Sequence, residues 1–406
     1  MVPHDTIIDL DCFFASVEQQ LRPELRGRPV GIVPVVAEST SCIAASKEAK
    51  RFGVKTGTRV RDARKLCPGI VLVESRPKEY LEFHQRFLTA LEIMVPVSEV
   101  MSIDEVWCRF PESVRSVADA ENFARRLKGI LRSHLGEAVT YSVGMGPNRF
   151  LAKLASDMGK PDGFFLIQKE DLPQCLHRLK LRDFCGIGKN MEKRLADNGI
   201  TTVAQMTSAS RETLHAVWGS VNGFHMWHWL RGEVTELPPT RRRTIGHSHV
   251  LPSKLRTERG IHAVCHRLMQ KAAMRLRKLD YYSTGMSIYI EYTDGYTWSR
   301  EIKFTETQDT FVFLDAFEKL WVHHPLRTGI PARSTGVTFS PLIPANRVTP
   351  DLLLRNPAHD RLCAAMDQLN RRLGKHTVSF GAAMGALEYT PMRIAFTRIP
   401  DQETEG

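Results

Sequence analysis

Apolar positions follow two different periods along the first 167 residues of the chain. Short apolar runs with the composition of β-strands occur at 6–10, 29–36, 98–110 and 139–146. Apolar residues at helical spacing occur at 46–51, 78–94 and 117–135, and a further helix is expected to begin near Phe13. Strands and helices do not alternate strictly. The pattern therefore predicts an α+β fold with an antiparallel element, in preference to a doubly wound parallel sheet.

The pattern changes in the second half of the chain. Residues 168–235 read as short helices separated by glycine, and PPTRRRT at 238–244 reads as an exposed linker with three arginines. From 245 to 340 the elements follow the order βαββαβ, which predicts a small sheet backed by two helices. One face of the first of these helices is apolar and carries Ile261, Val264, Leu268, Ala272 and Leu276. Beyond it we expect a helix at 358–373, a strand at HTVSF (376–380) and a disordered polar end, DQETEG (401–406).

Composition narrows the class of protein. The 406 residues are 42% hydrophobic and 25% charged, as in ordinary soluble globular proteins. The formal net charge of +11, which falls mostly within 240–345, favours a polyanionic partner without proving one. Eight widely spaced cysteines without a CxxC pair indicate neither a zinc knuckle nor a disulfide framework, so a reducing cytoplasm is expected. The stretch MVPHDTIIDLD lacks a basic n-region and a long apolar h-region, and no run of about 18 apolar residues occurs, so we expect neither an export signal nor a membrane span.

Two pairs of acidic residues interrupt apolar strands. Asp9 and Asp11 in IIDLDCFF differ by two positions, so both face the same side if the strand continues through them. Asp104 and Glu105 occupy a similar context in SIDEV. Carboxylates buried on neighbouring strands need a positive partner, and two Mg²⁺ ions held by these oxygens and by substrate phosphates would supply it. The alternative is that these acids cap helices or lie on a solvated face.

The stretch SVGMGPNRFLAKLASDMGKPDG (142–163) combines a strand, a glycine turn and the start of a helix. Lys153 inside the helix and Lys160 beyond it can place a cation against a phosphate. The stretch lacks the GxxxxGK[ST] pattern of a Walker A loop, and an ordinary surface lysine is the alternative for Lys153.

The stretch LRDFCGIGKNMEKRLADNGITTVAQM (181–206) predicts two amphipathic helices joined through GIG, with Leu195 and Ile200 packed between them. The glycines, Gly186 and Gly188, let backbone amides approach a phosphate closely, and Lys189 adds positive charge. A purely structural helical hairpin is the alternative.

These motifs, taken in order, resemble the Y-family, or translesion, DNA polymerases, nearest the bacterial DinB (polymerase IV) type. The resemblance spans residues 6 to about 340 and rests on DLDCFFASVE, EAKRFGVKTG, SIDE, the 142–163 stretch, the GIG segment and the βαββαβ module. It implies a right-hand arrangement. The expected parts are a palm (1–21 and 76–167), fingers (22–75), a helical thumb (168–236), a basic linker (237–244), a little finger (245–345) and a C-terminal extension (346–406).

The resemblance also implies a metal site. Asp9, Asp104 and Glu105 match the catalytic carboxylates, and the backbone carbonyl of Leu10 matches a further ligand of the two Mg²⁺ ions. Asp11 has a weaker claim to a role there. Such ions promote attack of the primer 3′-hydroxyl on the α-phosphate of the incoming nucleotide.

The nucleotide site implied by the resemblance includes two aromatic rings. Phe14 matches the steric gate, a ring that collides with a ribose 2′-hydroxyl, and Phe13 stacks nearby. Without the resemblance, both rings also fit an ordinary helix core. Lys153 matches the palm lysine that contacts the triphosphate.

The fingers depart from the DinB pattern. That branch has a tyrosine followed three residues later by an arginine, whereas this chain has Lys47 and Lys50, in a form nearer the UmuC (polymerase V) branch. Lys50 can contact the β- or γ-phosphate, but only as a point charge without the fork of arginine. Lys47 lacks the tyrosine hydroxyl, for which Ser46 or Lys47 itself is a candidate substitute.

Contacts with DNA are expected from three places. The first is the GIG segment, and the second is the linker with Arg241, Arg242 and Arg243. The third is formed by outward strand positions such as Lys303. A row of helix cations is expected to form a solvated face instead, and it comprises Arg267, Lys271, Arg275 and Lys278.

The implied function is template-directed DNA synthesis of the translesion type, with low fidelity and no proofreading, by a monomer that binds primer-template DNA and deoxynucleoside triphosphates. A non-catalytic DNA-binding accessory and a nucleotide cyclase are the alternatives. Occupation of all three carboxylate positions argues against the accessory, and the helical hairpin with the basic module argues against the cyclase. Sliding-clamp binding stays open, because the end TRIPDQETEG shows no clamp peptide and QLNRRL (368–373) is only a faint candidate.

Overall fold

The computed structural model describes residues 3–38, 40–235, 241–325, 327, 329–349, 356–374, 376–389 and 399. The chain divides into two compact units, with the boundary between residues 237 and 238. Within the described ranges, no helix combines the length and apolarity that a membrane span requires.

The first unit contains a main sheet, a small second sheet and a run of helices. Its strands are β1 (Asp5–Leu10), β2 (Val30–Val33), β3 (Ala44–Ala45), β4 (Val71–Glu74), β5 (Val97–Val100), β6 (Glu105–Arg109), β7 (Tyr141–Gly146) and β8 (Phe164–Leu166). Its helices are α1 (Phe13–Leu21), α2 (Lys47–Arg51), α3 (Val60–Leu66), α4 (Pro77–Glu92), α5 (Val117–Leu135), α6 (Arg149–Met158), α7 (Lys189–Asp197), α8 (Val203–Ser208), α9 (Arg211–Trp218) and α10 (Asn222–Trp229).

The main sheet has the strand order β5-β6-β1-β7-β8. The central strand β1 is antiparallel to both of its neighbours, whereas β8 runs parallel to β7. The mixed sheet confirms the predicted α+β class. Helix α6 packs directly on β7, because a Cβ at Gly144 would lie 1.9 Å from the backbone nitrogen of Ser156. This close approach sets the position of every side chain that α6 carries toward the sheet.

The small second sheet has the order β3-β2-β4, with β2 parallel to β4 and antiparallel to β3. Helices α2 and α3 belong to the same part of the chain, and residues such as Val33, Ala49, Val54 and Val60 form a buried core there. This core is separate from that of the main sheet, so α2 is held by its own packing.

Residues 168–235 form single 3₁₀ turns followed by α7 to α10, and they share one apolar core with Leu151 and Leu154 of α6. The prediction of two α-helices joined through GIG is wrong in detail. The GIG segment connects a 3₁₀ turn, Leu181–Asp183, to α7. The turn is followed at once by extended backbone at Phe184, so it does not continue as an α-helix. The predicted burial of Leu195 and Ile200 is confirmed.

The second unit is an antiparallel sheet with helices on one face. Its elements are β9 (Ile245–Val250), α11 (Glu258–Lys278), β10 (Tyr281–Tyr292), β11 (Thr297–Thr307), α12 (Thr310–Trp321), β12 (Ala332–Phe339), β13 (Leu342–Pro344) and α13 (Pro357–Leu373). The strand order is β11-β10-β12-β9, and β13 extends the pairing of β10. The predicted βαββαβ order is confirmed, as is the buried apolar face of α11. Helix α13 confirms the expected helix at 358–373 and contains the QLNRRL segment.

The predicted strand at 376–380 is wrong. Both backbone groups of Val378 bond to the side chain of Asn370, which accepts from its N–H at 2.9 Å and donates to its carbonyl at 2.8 Å. A side chain that takes both backbone groups leaves none for a sheet partner, so the segment forms a turn. The expected disordered end, 401–406, and linker residues 237–240 lie outside the described residues.

The expectation of a solvated cationic face on α11 is also wrong in part. Arg267 is 5% exposed, donates to the carbonyl of Ala386 at 3.2 Å and contacts His249. A 3₁₀ segment, Gly381–Tyr389, packs over this face of α11. Lys278 is exposed, as expected. The covering segment lies more than 100 residues away in the chain, and so the pattern of α11 alone did not reveal it.

Candidate active site

Strand register brings Asp9 against the second acidic pair, Asp104 and Glu105. Asp9 on β1 lies directly opposite Glu105 on β6 and opposite Ser142 on β7. Residues opposite each other in an antiparallel sheet point to the same face. Asp9 is 6% exposed. Two like charges so close together and largely removed from water destabilise the sheet unless positive charge compensates them.

Asp104 completes this carboxylate cluster. Its side chain accepts a hydrogen bond from Ser102 Oγ at 2.5 Å, and its carbonyl accepts from the backbone N–H of Leu10 at 2.8 Å. Burial raises the pKa of the Asp104 carboxyl, and the negative charge of Asp9 raises it further. Burial likewise raises the pKa of Glu105, against the opposing effect of a lysine, Lys153. The structure thus gathers Asp9, Leu10, Asp104 and Glu105 at the end of β1.

Two lysines enter the cluster from α6 and the loop after it. Lys153 Nζ lies 2.5 Å from Asp9 Oδ2 and 3.3 Å from Glu105 Oε1. Lys160 Nζ lies 3.0 Å from Asp9 Oδ1. Burial by itself lowers the pKa of Lys153, but the carboxylates of Asp9, Glu105 and Asp157 outweigh that effect, and the pKa is raised. Lys153 is therefore a charged member of the cluster, and its side chain is only 16% exposed.

Asp157 is the member of the cluster that the sequence reasoning missed. Its carboxylate lies 3.7 Å from Lys153 and 2.8 Å from Lys160. The spacing could have indicated this contact, because Lys153 is four positions before Asp157 and Lys160 is three after it, and such positions lie on the same side of a helix. Lys160 was noticed as a possible phosphate ligand, but its pairing with Asp9 depends on the tertiary structure.

The charge balance of the cluster shows what it can hold. The cluster contains four carboxylates and the ammonium groups of two lysines, so with all six groups charged it has an excess of two negative charges. The carboxylates are those of Asp9, Asp104, Glu105 and Asp157. Glu105 Oε1 is buried, and its partner among the described residues is the Lys153 ammonium group at 3.3 Å, which is shared with Asp9. Hard carboxylate oxygens with uncompensated charge are the ligands that Mg²⁺ prefers. The residues present therefore fit divalent cations.

Asp11 does not share the lysine partners of Asp9. Strand β1 ends at Leu10, and Cys12 has a left-handed φ of 52° at the turn into α1. One carboxylate oxygen of Asp11 accepts from Ser142 Oγ at 2.9 Å and the other accepts from the backbone N–H of Asp162 at 2.7 Å. The expectation that Asp9 and Asp11 face the same side required the strand to continue through Asp11, and β1 ends before that residue. Asp11 instead connects the β1–α1 turn to strand β7 and to the loop that precedes β8.

The two aromatic rings at the start of α1 are buried against α4. Phe14 is 5% exposed and stacks on Tyr80, with ring centroids 4.4 Å apart and planes inclined by 12°. The Phe13 ring lies 5.6 Å from that of Phe14. The hydroxyl of Tyr80 donates to Glu18 at 3.0 Å, and Arg76 donates to both oxygens of Glu18. Phe14 is therefore held in place by a stacked ring that is itself hydrogen-bonded.

The fingers lysines occupy different positions relative to this site. Burial raises the pKa of the Cys12 thiol, and the nearby ammonium group of Lys50 opposes part of that shift. Lys47 is exposed on α2. Ser46 caps α2, where its Oγ accepts from the N–H of Ala49 at 3.3 Å, and it is fully buried. Ser46 is thus committed to the helix cap and is not free to replace a tyrosine hydroxyl.

The residues expected to contact DNA are all accessible. Gly186, Gly188 and Lys189 are exposed, and a Cβ at either glycine would meet no atom within 4 Å. Gly186 has a φ of +87°, which favours glycine over other residues. Gly188 and Lys189 begin α7, where backbone N–H groups are free to face an anion. Arg241, Arg242 and Arg243 are exposed in the second unit.

Comparison with known proteins shows the family of the chain. The sequence profile of the impB/mucB/samB family matches residues 8–157, and the profile of its C-terminal domain matches 242–352. The DNA polymerase IV of Moorella thermoacetica is 34% identical over 382 residues, which cover 92% of this chain and 94% of that protein. The chain belongs to this family, the Y family of DNA polymerases.

Other Y-family members show the same extent of similarity. The DNA polymerase IV of Pelotomaculum thermopropionicum is 31% identical over 96% of both chains. Among solved structures, a Y-family DNA polymerase chimera superposes with a TM-score of 0.69 at 24% identity, over 84% of this chain and 99% of that one. An insertion ternary complex of Dbh DNA polymerase superposes with a TM-score of 0.55 over the same shares. These structures support the fold of a Y-family polymerase.

Proposed function

We propose that the chain is a template-directed DNA polymerase of the translesion type. The reaction is attack of a primer 3′-hydroxyl on the α-phosphate of a deoxynucleoside triphosphate, with pyrophosphate as the leaving group. The observation that carries the proposal is the buried cluster in which β1, β6 and α6 place three carboxylates around Lys153, in a chain of the Y family. Low fidelity and the absence of proofreading follow from family membership and are part of the proposal.

In this proposal Asp9, Asp104, Glu105 and the carbonyl of Leu10 hold two Mg²⁺ ions. The ions, when bound, stabilise the charges on the attacking and leaving oxygens. Lys153 neutralises part of the carboxylate charge before substrate arrives, since its ammonium group lies between Asp9 and Glu105. Its flexible stem then allows it to turn toward the triphosphate.

The nucleotide is selected by shape at the start of α1. Phe14 is the steric gate beneath the sugar, and Phe13 packs beside it. Because Phe14 is stacked on Tyr80, the ring cannot move aside without losing that contact. Lys50, which reaches the Cys12 turn, supplies positive charge to the β- or γ-phosphate.

Primer-template DNA is bound through its phosphates. The free amides at Gly186 and Gly188, with Lys189, contact one strand, and the three exposed arginines at 241–243 contact the duplex from the second unit. Lys303 projects from the face of the second sheet that the helices do not cover. Binding is therefore expected to weaken steeply as salt concentration rises.

A non-catalytic accessory of a lesion-bypass complex is the alternative, and a complete, assembled carboxylate cluster argues against it. We also propose that the protein acts as a monomer in the cytoplasm, where its eight unpaired cysteines stay reduced. QLNRRL is part of the helix α13, so a clamp contact through it would use a helical surface and not an extended peptide.

Primer extension with Mg²⁺ tests the catalytic assignment. Asp104→Ala is expected to lower the rate of nucleotide insertion by at least about 10²-fold, while primer-template binding measured by fluorescence anisotropy stays unchanged. Glu121→Ala, an exposed acid on α5, is the matched control and keeps full activity. Wild-type protein that binds DNA without extending it would favour the accessory, and normal extension by Asp104→Ala would remove Asp104 from the site. Extension across an abasic template beside an undamaged one tests the translesion assignment.

Sugar selection tests the gate. Phe14→Val is expected to raise the ratio of ribonucleotide to deoxynucleotide insertion, because the smaller side chain leaves room for the 2′-hydroxyl. Phe110→Val, which shortens a buried ring at the far end of β6, controls for general loosening of the fold. Unchanged selectivity in Phe14→Val would show that another residue excludes ribonucleotides.

A further inference from the structure

The second unit contains a cluster of side chains with the donor atoms of a transition-metal site. His262 and His266 lie on α11, and α12 brings Glu318 against them. His266 Nε2 is 2.6 Å from Glu318 Oε1, and His262 Nε2 is 3.1 Å from the same oxygen. One donor atom from each residue lies within 4.8 Å of the other two. Three possible ligands from two helices therefore converge on one point.

The orientation of both rings is set by packing. The two histidines are four positions apart, which places them on one face of α11. Phe317 packs against both rings, with centroids 5.1 Å from His262 and 4.9 Å from His266, and the Trp321 ring meets His262 edge to face at 5.0 Å. His266 is 4% exposed. Aromatic walls thus hold the imidazoles in position before any ligand binds.

The donor set defines the kind of ion. Two imidazoles and one carboxylate suit Zn²⁺ and similar divalent ions, whereas Mg²⁺ and Ca²⁺ prefer oxygen ligands alone. Tetrahedral bonds of about 2.0–2.2 Å separate neighbouring donor atoms by roughly 3.3–3.5 Å. The 3.1 Å between His262 Nε2 and Glu318 Oε1 is near this separation. The 2.6 Å between His266 Nε2 and the same oxygen would lengthen to it if the Glu318 side chain, which is 50% exposed, rotated. The exposed side also leaves a fourth position open to water.

A simple explanation is that Glu318 only accepts hydrogen bonds from two neutral imidazoles. That arrangement joins α11 to α12 through both carboxylate oxygens, because His262 Nε2 also lies 3.2 Å from Glu318 Oε2. It accounts for each pairwise contact, but it does not require one donor atom from each of the three residues to lie within 4.8 Å of the other two. A metal ion uses all three donors at once. We infer that His262, His266 and Glu318 bind one divalent transition-metal ion, best Zn²⁺, which links α11 to α12 on the helical face of the second unit. This site is independent of the polymerase assignment, because its residues lie outside the carboxylate cluster.

The test is Zn²⁺ binding to the untagged full-length chain in the presence of millimolar Mg²⁺, which competes for the oxygen ligands of the carboxylate cluster. Isothermal titration calorimetry is expected to show one Zn²⁺ per chain. Co²⁺ in place of Zn²⁺ is expected to give the visible absorption bands of a tetrahedral site with nitrogen ligands. Zn²⁺ is also expected to raise the melting temperature, because a ligand that binds only the folded state stabilises it.

Two variants and one control complete the test. His262→Ala and Glu318→Gln each remove one ligand, and each is expected to weaken Zn²⁺ binding by more than about 100-fold, since even changes around a metal ligand cost about 10–100-fold. His323→Ala removes an exposed histidine just beyond α12 and is expected to bind as the wild type does. Glu318→Gln keeps a hydrogen-bond acceptor of the same size, so it separates metal binding from folding if His262→Ala is unstable. The proposal is overturned if the wild type binds no Mg²⁺-resistant Zn²⁺, or if both ligand variants bind it with wild-type affinity.

Discussion

Arg76 compensates the fully buried charge of Glu18, next to the Tyr80 ring that stacks on Phe14. The Glu18 side chain has no exposed surface, and the Arg76 guanidinium donates to its two oxygens at 2.9 and 2.7 Å. Tyr80 donates to one of the same oxygens, and Arg22 lies farther away at 3.7 Å. Arg76→Met therefore leaves a buried carboxylate with one hydroxyl and one distant cation.

Removing one partner of a buried ion pair costs about 3–5 kcal/mol of unfolding free energy. We expect the lower end, about 3 kcal/mol, because Arg22 remains near Glu18 and because Arg76 itself is 32% exposed. For a unit of roughly 150–250 residues this corresponds to a fall in melting temperature of about 6–12 °C.

Differential scanning calorimetry of the full chain measures the effect. Glu18→Gln in the Arg76→Met background is expected to recover most of the loss, because a neutral amide needs no counter-charge. Arg86→Met is the matched control, since its partner Glu82 on the same helix is exposed and such pairs contribute about 0.2–1 kcal/mol. The reasoning is refuted if Arg76→Met and Arg86→Met shift the transition equally, or if the double variant is no more stable than Arg76→Met.

Three further predictions concern the same unit. Gly144→Ala is expected to cost about 3 kcal/mol or more, because its Cβ would lie 1.9 Å from the backbone of α6, whereas Gly69→Ala has open space and is the thermal control. Burial lowers the pKa of His84, whose ring bonds to the carbonyl of Ile103. Below about pH 6.5 the unfolded state therefore binds a proton at His84 that the folded state does not bind, and this proton favours unfolding. The melting temperature of the wild type should fall more steeply with decreasing pH than that of His84→Gln. Equal slopes would contradict this prediction. If Phe14 is the gate, as proposed, Tyr80→Phe keeps a ring stacked on it and should preserve sugar selectivity, whereas Tyr80→Ala should lose that selectivity. Equal ribonucleotide insertion by both variants would refute the stacking role.

Features that depend on neighbours in the sequence were predictable. The βαββαβ order and the buried face of α11 followed from residue spacing, because a helix or strand shows its period within a few turns. The start of α6 was predicted for the same reason, and Asn148 provides its cap by accepting from the N–H of Leu151.

The errors arose where a contact from outside the local run of residues decides the outcome. Arg267 is polar and periodic with other cations, yet the segment Gly381–Tyr389 covers it. Val378 lies in a β-prone run, yet Asn370 takes both of its backbone groups. Neither contact leaves a signal in the local sequence, because each joins residues that only the folded chain brings together.

Residue spacing and motifs were enough to predict the order of most elements, the family and the residue types available for chemistry, including Asp9, Phe14 and Lys153. The tertiary structure decided which of these meet: Asp9 opposite Glu105, Lys153 between them, and Phe14 on Tyr80. The physical reason is that spacing along a chain sets the direction of a side chain within one element. Its partner depends on strand register and on helix packing across the core, and these are set by the sum of many non-local contacts.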